Sequence, residues 1–289
     1  MKAMWTDFHK PKWVEVDRGT LTDTYGKFIA EPFERGFGIT VGNALRRVLL
    51  SSVRGAGICG VHFEGVFHEF SVLQGVVEDV SDIILNLKEV RLRMDDEEPR
   101  RMTLKVKGPK VITAADLETD GMVTVLNPDH HLAELQKDGE IEAEMIVKKG
   151  RGYVPAERNA DESMGAQFIP MDAVFSPIQR VNYHVENTRV GRSTDYDKLI
   201  LEVWTDGSIN PEDCISYAAK LLKDHLQIFI NFEEEPEVEE PAEDEHKQKL
   251  WENLRKSVDE LELSVRSYNC LKNANIRTLQ ELVERTEPE

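Results

Sequence analysis

The stretch ERGFGITVGNALRRVLLSSV, residues 34–53, has three glycines followed by two adjacent arginines and could in principle bind a phosphate. A glycine-rich loop before a helix often cradles a nucleotide, because backbone N–H groups and the helix dipole attract the anion. Here Gly36, Gly38 and Gly42 form GxGxxxG, one residue longer than the dinucleotide fingerprint, and no Lys-Ser/Thr pair follows as in a P-loop. We therefore predict that the glycines serve a tight turn into a helix.

Histidines and carboxylates are the other groups that could do chemistry. The close histidine pairs lie six residues apart or adjacent, and no Glu-His helical metal motif or nucleophile elbow accompanies them. We predict no catalytic residue, no metal site and no cofactor in this chain. The pairs are His62 with His68 and His130 with His131.

A third candidate is the basic stretch EMIVKKGRGYVPAERN, which carries Lys148, Lys149 and Arg151 around two glycines. Functionally, it is a possible basic contact loop. Structurally, it reads as a strand that leaves through a glycine turn. The spacing leaves both interpretations open and favours the structural one.

Composition limits the class of protein. The chain has 289 residues, 40% of them hydrophobic and 31% charged, with no apolar run of the roughly 18 residues that a membrane span needs. The N-terminal residues lack the apolar core of a signal peptide, and the three cysteines form no CxxC pair. These features predict a cytoplasmic, globular protein with reduced cysteines and no membrane partner.

Charge is distributed unevenly along the chain. The net charge of −18 opposes non-specific coating of nucleic acid, which depends on neutralising phosphates. Residues 233–245, EEEPEVEEPAEDE, hold nine acids and no base, and they cannot form a core. We predict a solvated linker over 233–248. The residues after it have helical character and include a basic patch with three bases and no acid between Leu263 and Gln280.

Helical periodicity predicts the elements that position these groups. A helix starts near Thr40 with one buried apolar stripe, and Arg46 and Arg47 fall on the opposite side. A second helix starts after Asn210, with Pro211 at its first position. The first helix carries the stripe Val41, Ala44, Leu45, Val48, Leu49 and Ser52; the second carries Ile215, Ala218, Ala219, Leu222, Leu226 and Phe229, and also Cys214, Tyr217, Leu221, Ile228 and Phe232.

Two apolar stripes on the second helix are more than the surface of one domain requires. They suggest burial against another helix, from a second copy of the chain or within a single larger core. Before these elements, residues 13–32 read as extended up to Pro32. Between the helices, GICGVHFEGVFHEF and several later stretches alternate like antiparallel strands, and VSDIILNLKEVRLRM reads as a helix followed by a strand.

Six long motifs together resemble the bacterial RNA polymerase alpha subunit family, in order and from about residue 10 to the last residue. They are ERGFGITVGNALRRVLLSS, HEFSVLQGVVEDVSDIILNLK, KKGRGYVPAERN, FSPIQRVNY, TRVGRSTDYDKLILEVWTDGSINPED and LSVRSYNCLKNANIRTLQELVERTE.

The resemblance implies a homodimer that carries the two large catalytic subunits of the polymerase, a nucleotidyltransferase, without catalytic residues of its own. It implies that Arg47, with Arg46 beside it, holds the beta subunit and that Lys88 touches beta-prime. Because a two-fold dimer offers the same surface to two different partners, each protomer should use mainly one of them. The dimerisation residues implied are Val41, Leu45, Val48, Leu49, Tyr217, Leu221, Ile228 and Phe232.

The resemblance also implies a helical C-terminal module that binds the minor groove of A·T-rich promoter DNA and contacts transcription activators. The matching DNA-contact positions are Arg266, Asn269, Cys270 and Lys272. The printed sequence ends at Glu289, within this module, so we expect the module to be incomplete here. A free-standing dimeric DNA-binding transcription regulator is the alternative function.

The predicted fold class is α+β. A dimerisation subdomain of helices on a sheet spans 1–53 and 180–232, and a mainly β subdomain is inserted at 54–179. The linker at 233–248 and a partial all-α DNA-binding domain at 249–289 complete the expected organisation.

Overall fold

The computed structural model describes residues 8–160, 164–165, 167–191 and 193–230, together with Ser257, Arg266, Leu271, Ile276 and Val283. The chain divides into two units, residues 1–230 and 231–289, and each is described by itself. Within the described residues, no helix is long and apolar enough to cross a membrane.

The first unit is α+β, which confirms the predicted class, and strands dominate it. Its helices are α1 Phe37–Ser52, α2 Val80–Lys88, α3 Ala156–Asn159 and α4 Pro211–Gln227, with a short 3-10 helix at Ala114–Asp116. Its strands are β1 Glu15–Val16, β2 Tyr25–Glu34, β3 Arg54–Phe63, β4 Leu92–Met94, β5 Arg100–Lys107, β6 Lys110–Thr113, β7 Val123–Val125, β8 His131–Leu135, β9 Glu140–Arg151, β10 Tyr153–Val154, β11 Ile169–Pro170, β12 Ala173–Val174, β13 Ile178–Val190 and β14 Ser193–Thr205.

Two four-stranded antiparallel sheets organise this unit. The first has the order β1-β2-β14-β13 and is built from the two ends of the unit, whereas the second, β11-β3-β9-β5, comes from the residues between them. The residues between α1 and β13 also form three two-stranded sheets, β10-β12, β4-β7 and β6-β8. The first sheet has an apolar core of its own with α1 and α4, whereas the buried residues between α1 and β13 pack mainly on one another.

The first core lies between the first sheet and the helices α1 and α4. Apolar side chains on alternate strand positions face the helices, as expected for a sheet covered on one side. Its buried members are Phe28, Leu49, Val53, Ile178, Val181, Leu201, Val203, Cys214 and Ala218. The second, larger core packs α2 against β3, β5 and β9, and its largest fully buried side chains include Phe63, Ile83, Leu87, Met102 and Met145.

Glycines bring α1 unusually close to the first sheet. A methyl group on Gly42 would lie 2.8 Å from Leu199 Cδ1 and 2.8 Å from Tyr183 Cδ2, and one on Gly38 would lie 3.0 Å from Asp197 Cβ. The prediction that all three glycines serve a turn is therefore only partly right. Gly36 alone makes the turn, with a φ of 89°, and Gly38 and Gly42 lie inside the helix.

A carboxylate from the sheet caps α1. Asp197 of β14 is buried, and its Oδ2 accepts hydrogen bonds from the backbone N–H groups of Gly36 at 2.8 Å and Gly38 at 3.3 Å. The first N–H groups of a helix have no partner within the helix, and a negative charge there is stabilised by the helix dipole. Because the cap comes from a strand about 160 residues away, the helix predicted to begin near Thr40 begins at Phe37.

Two predicted strand boundaries are wrong. β2 continues past Pro32 to Glu34, because Pro32 lies at a bulge where the pairing shifts from Ala30 opposite Leu199 to Phe33 opposite Asp197. The alternation predicted through Phe70 stops at Phe63, where the chain turns through Gly65 with a φ of 79°. The helix and strand predicted in VSDIILNLKEVRLRM are α2 and β4.

α4 begins where the sequence predicts, with Asn210 at the N-cap and Pro211 at the first position, although the Asn210 side chain makes no capping bond. The two predicted stripes do not separate into a core face and a partner face. Cys214 of the second stripe is fully buried, whereas Leu226 and Phe229 of the first stripe are exposed. Burial instead decreases along the helix from its N-terminus to its C-terminus.

We predict that Asp197→Ala destabilises the first unit by about 1–2 kcal/mol, because two N–H groups at the start of α1 lose their acceptor. Asp195→Ala is the matched control, since Asp195 is an exposed aspartate of the same strand. Urea unfolding followed by circular dichroism measures both variants. Equal losses would show that the cap contributes no stability.

Burial, aided by the nearby charges of Asp206 and Asp213, raises the pKa of the Cys214 thiol to about 12. The unfolded chain ionises this thiol near its ordinary pKa of about 8.5. The folded state is therefore favoured fully below that pH and loses the advantage as pH rises toward 12. The free energy of unfolding of the parent protein should therefore fall as pH rises above about 9. In Cys214→Ala we expect this fall to be shallower by up to about 1.4 kcal/mol per pH unit. Parallel curves for parent and variant in urea titrations would contradict this expectation.

Candidate interaction surfaces

The side chains of Arg46 and Arg47 project from α1 into solvent. Both residues are exposed, and within the described part of the chain neither guanidinium has a hydrogen bond or ion pair. Gly42 and Leu49 lie in the core, so Arg47 projects from the opposite side of the helix, whereas Arg46, four residues after Gly42, lies at the exposed edge of the buried face. A guanidinium presents several N–H donors in a planar fork that suits carboxylates, so the pair is available to an acidic partner.

A carboxylate already occupies the backbone N–H groups at the start of α1. The N–H groups that would bind a phosphate, those of Gly36 and Gly38, bind the Asp197 carboxylate. Side chains of the sheet also fill the space beside Gly38 and Gly42. The geometry therefore agrees with the sequence argument against a nucleotide site.

An apolar surface remains uncovered at the C-terminal end of α4. Ile228 is 74% exposed and Phe229 73% exposed, with Leu226 and Ile230 beside them also open. On α1, Val41, Leu45 and Val48 are half-buried, and Leu49 is fully buried inside this protomer. Large contiguous apolar surface is characteristic of a protein interface. Of the predicted dimerisation residues, Tyr217 is exposed, Leu221 is half-buried, and Phe232 lies outside the described residues.

The loop between β3 and α2 presents a second apolar surface, which the sequence analysis missed. Phe67 is 91% exposed and Phe70 80% exposed, and Val72 follows them. The alternation of this stretch suggested a half-buried strand. The one available signal was Gly65 followed by two phenylalanines three residues apart, a spacing that cannot place both rings on one face of a strand.

The four histidines of the close pairs make hydrogen bonds to other residues of the first unit. No group of three or more His, Cys, Asp or Glu among the described residues is arranged to hold a metal ion. The bonds join His62 Nδ1 to the Gln167 carbonyl, His68 Nδ1 to Ser71 Oγ, His130 Nε2 to the Asn86 carbonyl and His131 Nε2 to Glu78 Oε1.

Comparison with known proteins identifies the family of this chain. The family model described as the RNA polymerase Rpb3/RpoA insert domain matches residues 61–176, and the model for the C-terminal domain of the bacterial RNA polymerase alpha subunit matches residues 243–289. The DNA-directed RNA polymerase subunit alpha of Geobacter metallireducens is 57% identical over 290 aligned residues, covering the whole of this chain and 85% of the relative. The chain belongs to the RNA polymerase alpha subunit family. The corresponding subunit of Pelobacter propionicus is 51% identical over the same length and coverage.

Lys88 lies within the residues that match the insert-domain family model, in the last turn of α2. Its Nζ is 2.6 Å from Asp172 Oδ1, and both side chains are about one-third exposed. The hydrogen bond from Lys88 lowers the pKa of the Asp172 carboxyl. A partner that binds Lys88 must therefore share the ammonium with Asp172 or displace it.

The alpha-family C-terminal region holds the predicted DNA contacts. Arg266 is helical and exposed, and Leu271 is helical and half-buried. Asn269, Cys270 and Lys272 lie outside the described residues, as does the predicted linker at 233–248.

Proposed function

We propose that this chain is the assembly scaffold of DNA-directed RNA polymerase. Two copies form a homodimer, and the dimer holds the beta and beta-prime subunits in the cytoplasm. The observation that carries the proposal is the Arg46–Arg47 pair. It stands exposed and unpaired in the described structure, on a helix whose position is fixed by close packing.

Dimerisation would use the uncovered apolar parts of α1 and α4. The exposed side chains at the end of α4 support this role, because each buried Leu, Ile or Phe contributes roughly 1.5–3 kcal/mol. Val41, Leu45, Val48, Tyr217, Leu221, Ile228 and Phe232 would form the interface. Leu49 is inside the protomer core, so it would hold α1 in place without touching the second copy.

In the proposed assembly, each protomer of the dimer contacts a different large subunit. Arg47 and Arg46 of one protomer hold the beta subunit, and Lys88 of the other contacts beta-prime. Phe67 and Phe70 add a large apolar area that a subunit of the polymerase could bury. The chain itself supplies no catalytic residue, and the polymerase activity belongs to the large subunits.

The C-terminal module would bind A·T-rich promoter DNA and activators. A narrow minor groove has an enhanced negative potential that attracts arginine, and the exposed, helical Arg266 suits this role. Asn269, Cys270 and Lys272 are the further contacts proposed. A free-standing DNA-binding regulator is not favoured, because the full-length relatives are RNA polymerase subunits.

We propose the domain boundaries that the sequence suggested. The dimerisation subdomain is 1–53 with 180–232, and the insert is 54–179. The separate cores of the two large sheets support this division, since β3 starts at Arg54 and β13 at Ile178. The linker is 233–248 and the DNA-binding domain 249–289.

The dimer is tested by placing two charges on α4. We expect Leu221→Asp with Ile228→Asp to give monomers in sedimentation velocity, because two aspartates in an apolar interface would be desolvated without a partner. Lys223→Asp on the opposite side of the helix is the control and should remain dimeric. A dimer in the double variant would rule out the α4 interface.

The beta-subunit contact is tested by Arg47→Ala in the full-length protein. We expect binding of purified beta subunit to weaken by roughly 2 kcal/mol or more, as for an interface hot spot, while circular dichroism and sedimentation stay unchanged. Arg93→Ala, at an exposed arginine of β4, is the control and should bind normally. Undiminished binding by Arg47→Ala would overturn the proposed contact.

A further inference from the structure

One end of the second sheet is basic, although the chain as a whole is acidic. Arg54 of β3 pairs with Arg151 of β9, and Ala56 pairs with Lys149. Residues that face each other in antiparallel strands, and residues two apart along a strand, lie on the same face of a sheet. Arg54, Lys149 and Arg151 therefore share one face.

Phe175 covers the other face of the same strands. A methyl group on Gly150 would lie 2.5 Å from its ring, and one on Gly55 would lie 2.2 Å from its carbonyl oxygen. Gly150 of KKGRG and Gly55 of β3 thus admit Phe175 on one side of the sheet. The basic side chains occupy the opposite side, where Arg54 and Arg151 are exposed.

A single carboxylate joins two of these bases. Glu97 Oε2 is 2.8 Å from Arg54 Nη2, and Glu97 Oε1 is 3.2 Å from Lys149 Nζ. Hydrogen bonds from Lys149 and then Arg54 lower the pKa of this carboxyl. Its side chain is nevertheless 64% exposed, so a competing carboxylate from solvent can reach both bases.

The segment that carries Glu97 is a turn held by Asp96. The Asp96 Oδ1 atom accepts hydrogen bonds from the N–H groups of Glu97 and Glu98, and Asp96 Oδ2 forms an ion pair with Arg100. Asp96 and Arg100 therefore keep the turn in place without Glu97. None of these contacts involves the Glu97 carboxylate.

The basic face continues from the end of α1. Arg54 lies two residues after Ser52, the last residue of the helix, and a methyl group on Gly152 would lie 3.6 Å from the Ser51 carbonyl oxygen. Ser51 Oγ in turn donates to the Arg47 carbonyl. The turn after Arg151 thus touches the last turn of the helix that carries Arg46 and Arg47.

We propose that Arg54, Lys149 and Arg151 extend the Arg46–Arg47 surface and bind acidic side chains of the same partner subunit, and that Glu97 occupies the position of a partner carboxylate until the partner binds. This inference rests on the proposed function, since it adds to the beta-subunit contact. A protein partner fits better than nucleic acid. Three bases are few for phosphate binding, and the net charge of −18 repels a polyanion.

The test compares association of the full-length protein with purified beta subunit by stopped-flow fluorescence at low and high salt. We expect Glu97→Ala to associate about threefold faster at low salt, because a competing charge is removed from an electrostatically complementary surface. Screening should abolish the difference at about 1 M salt. Glu98→Ala removes the same charge from the neighbouring residue and should have a smaller effect. Arg54→Ala and Arg151→Ala should each associate about threefold more slowly.

Each outcome has a definite meaning. If Arg47→Ala loses the beta subunit but Glu97→Ala and Glu98→Ala behave alike, the proposed function stands and the Glu97 inference is wrong. If Arg47→Ala binds normally, the proposed function fails and the inference fails with it. A fluorescent A·T-rich duplex is the second probe. If Arg54→Ala and Arg151→Ala weaken binding of this duplex and leave beta-subunit association unchanged, the surface is a nucleic-acid site and the inference is wrong.

Discussion

The close approach of α1 to the first sheet is the constraint on which the rest of the first unit depends. It requires the absence of a side chain at Gly38 and Gly42 and the presence of a carboxylate at Asp197. A side chain at either glycine would push the helix away from the strands, because the neighbouring atoms already lie at contact distance. A non-ionised residue at 197 would leave the helix start without its charged acceptor.

This packing determines the orientation of the whole helix. With Gly42 and Leu49 held in the core, Arg47 must face away from the sheet, and Arg46 lies at the exposed edge of the packed face. The helix ends at Ser52 and β3 begins two residues later at Arg54, so the second sheet starts close to the last turn of α1. The basic face of that sheet is therefore near the arginine pair because of how the helix is seated.

The two largest cores of the first unit differ in how completely their surrounding elements are covered. The sheet built from β1, β2, β13 and β14 holds the helices whose apolar surface remains partly open, whereas the core around α2, β3, β5 and β9 closes on itself. The most exposed phenylalanines of the described residues, Phe67, Phe70 and Phe229, lie in the loop after β3 and at the end of α4. Those places are where a partner gains most by burying surface.

The sequence by itself determined the α+β class, the N-terminus of α4 at Asn210 and Pro211, and the solvent-facing pair Arg46–Arg47. Each of these follows from local signals, namely helical periodicity, a proline at the first helical position and strand alternation. It also determined the family, through motifs distributed along the whole chain.

Only the tertiary structure decided which glycines make a turn and which admit a neighbouring strand, because that depends on atoms such as Leu199 Cδ1 that are distant in sequence. A helical wheel gives the direction of a side chain but not its position along the helix relative to the sheet. For this reason Cys214, near the start of α4, is buried, whereas Phe229, just after its end, is exposed, although the helical pattern placed Phe229 on the face expected to be buried in the domain. The bridge from Glu97 to Arg54 and Lys149 likewise joins residues 43 and 52 positions apart in the sequence, and no local pattern in the sequence encodes these contacts.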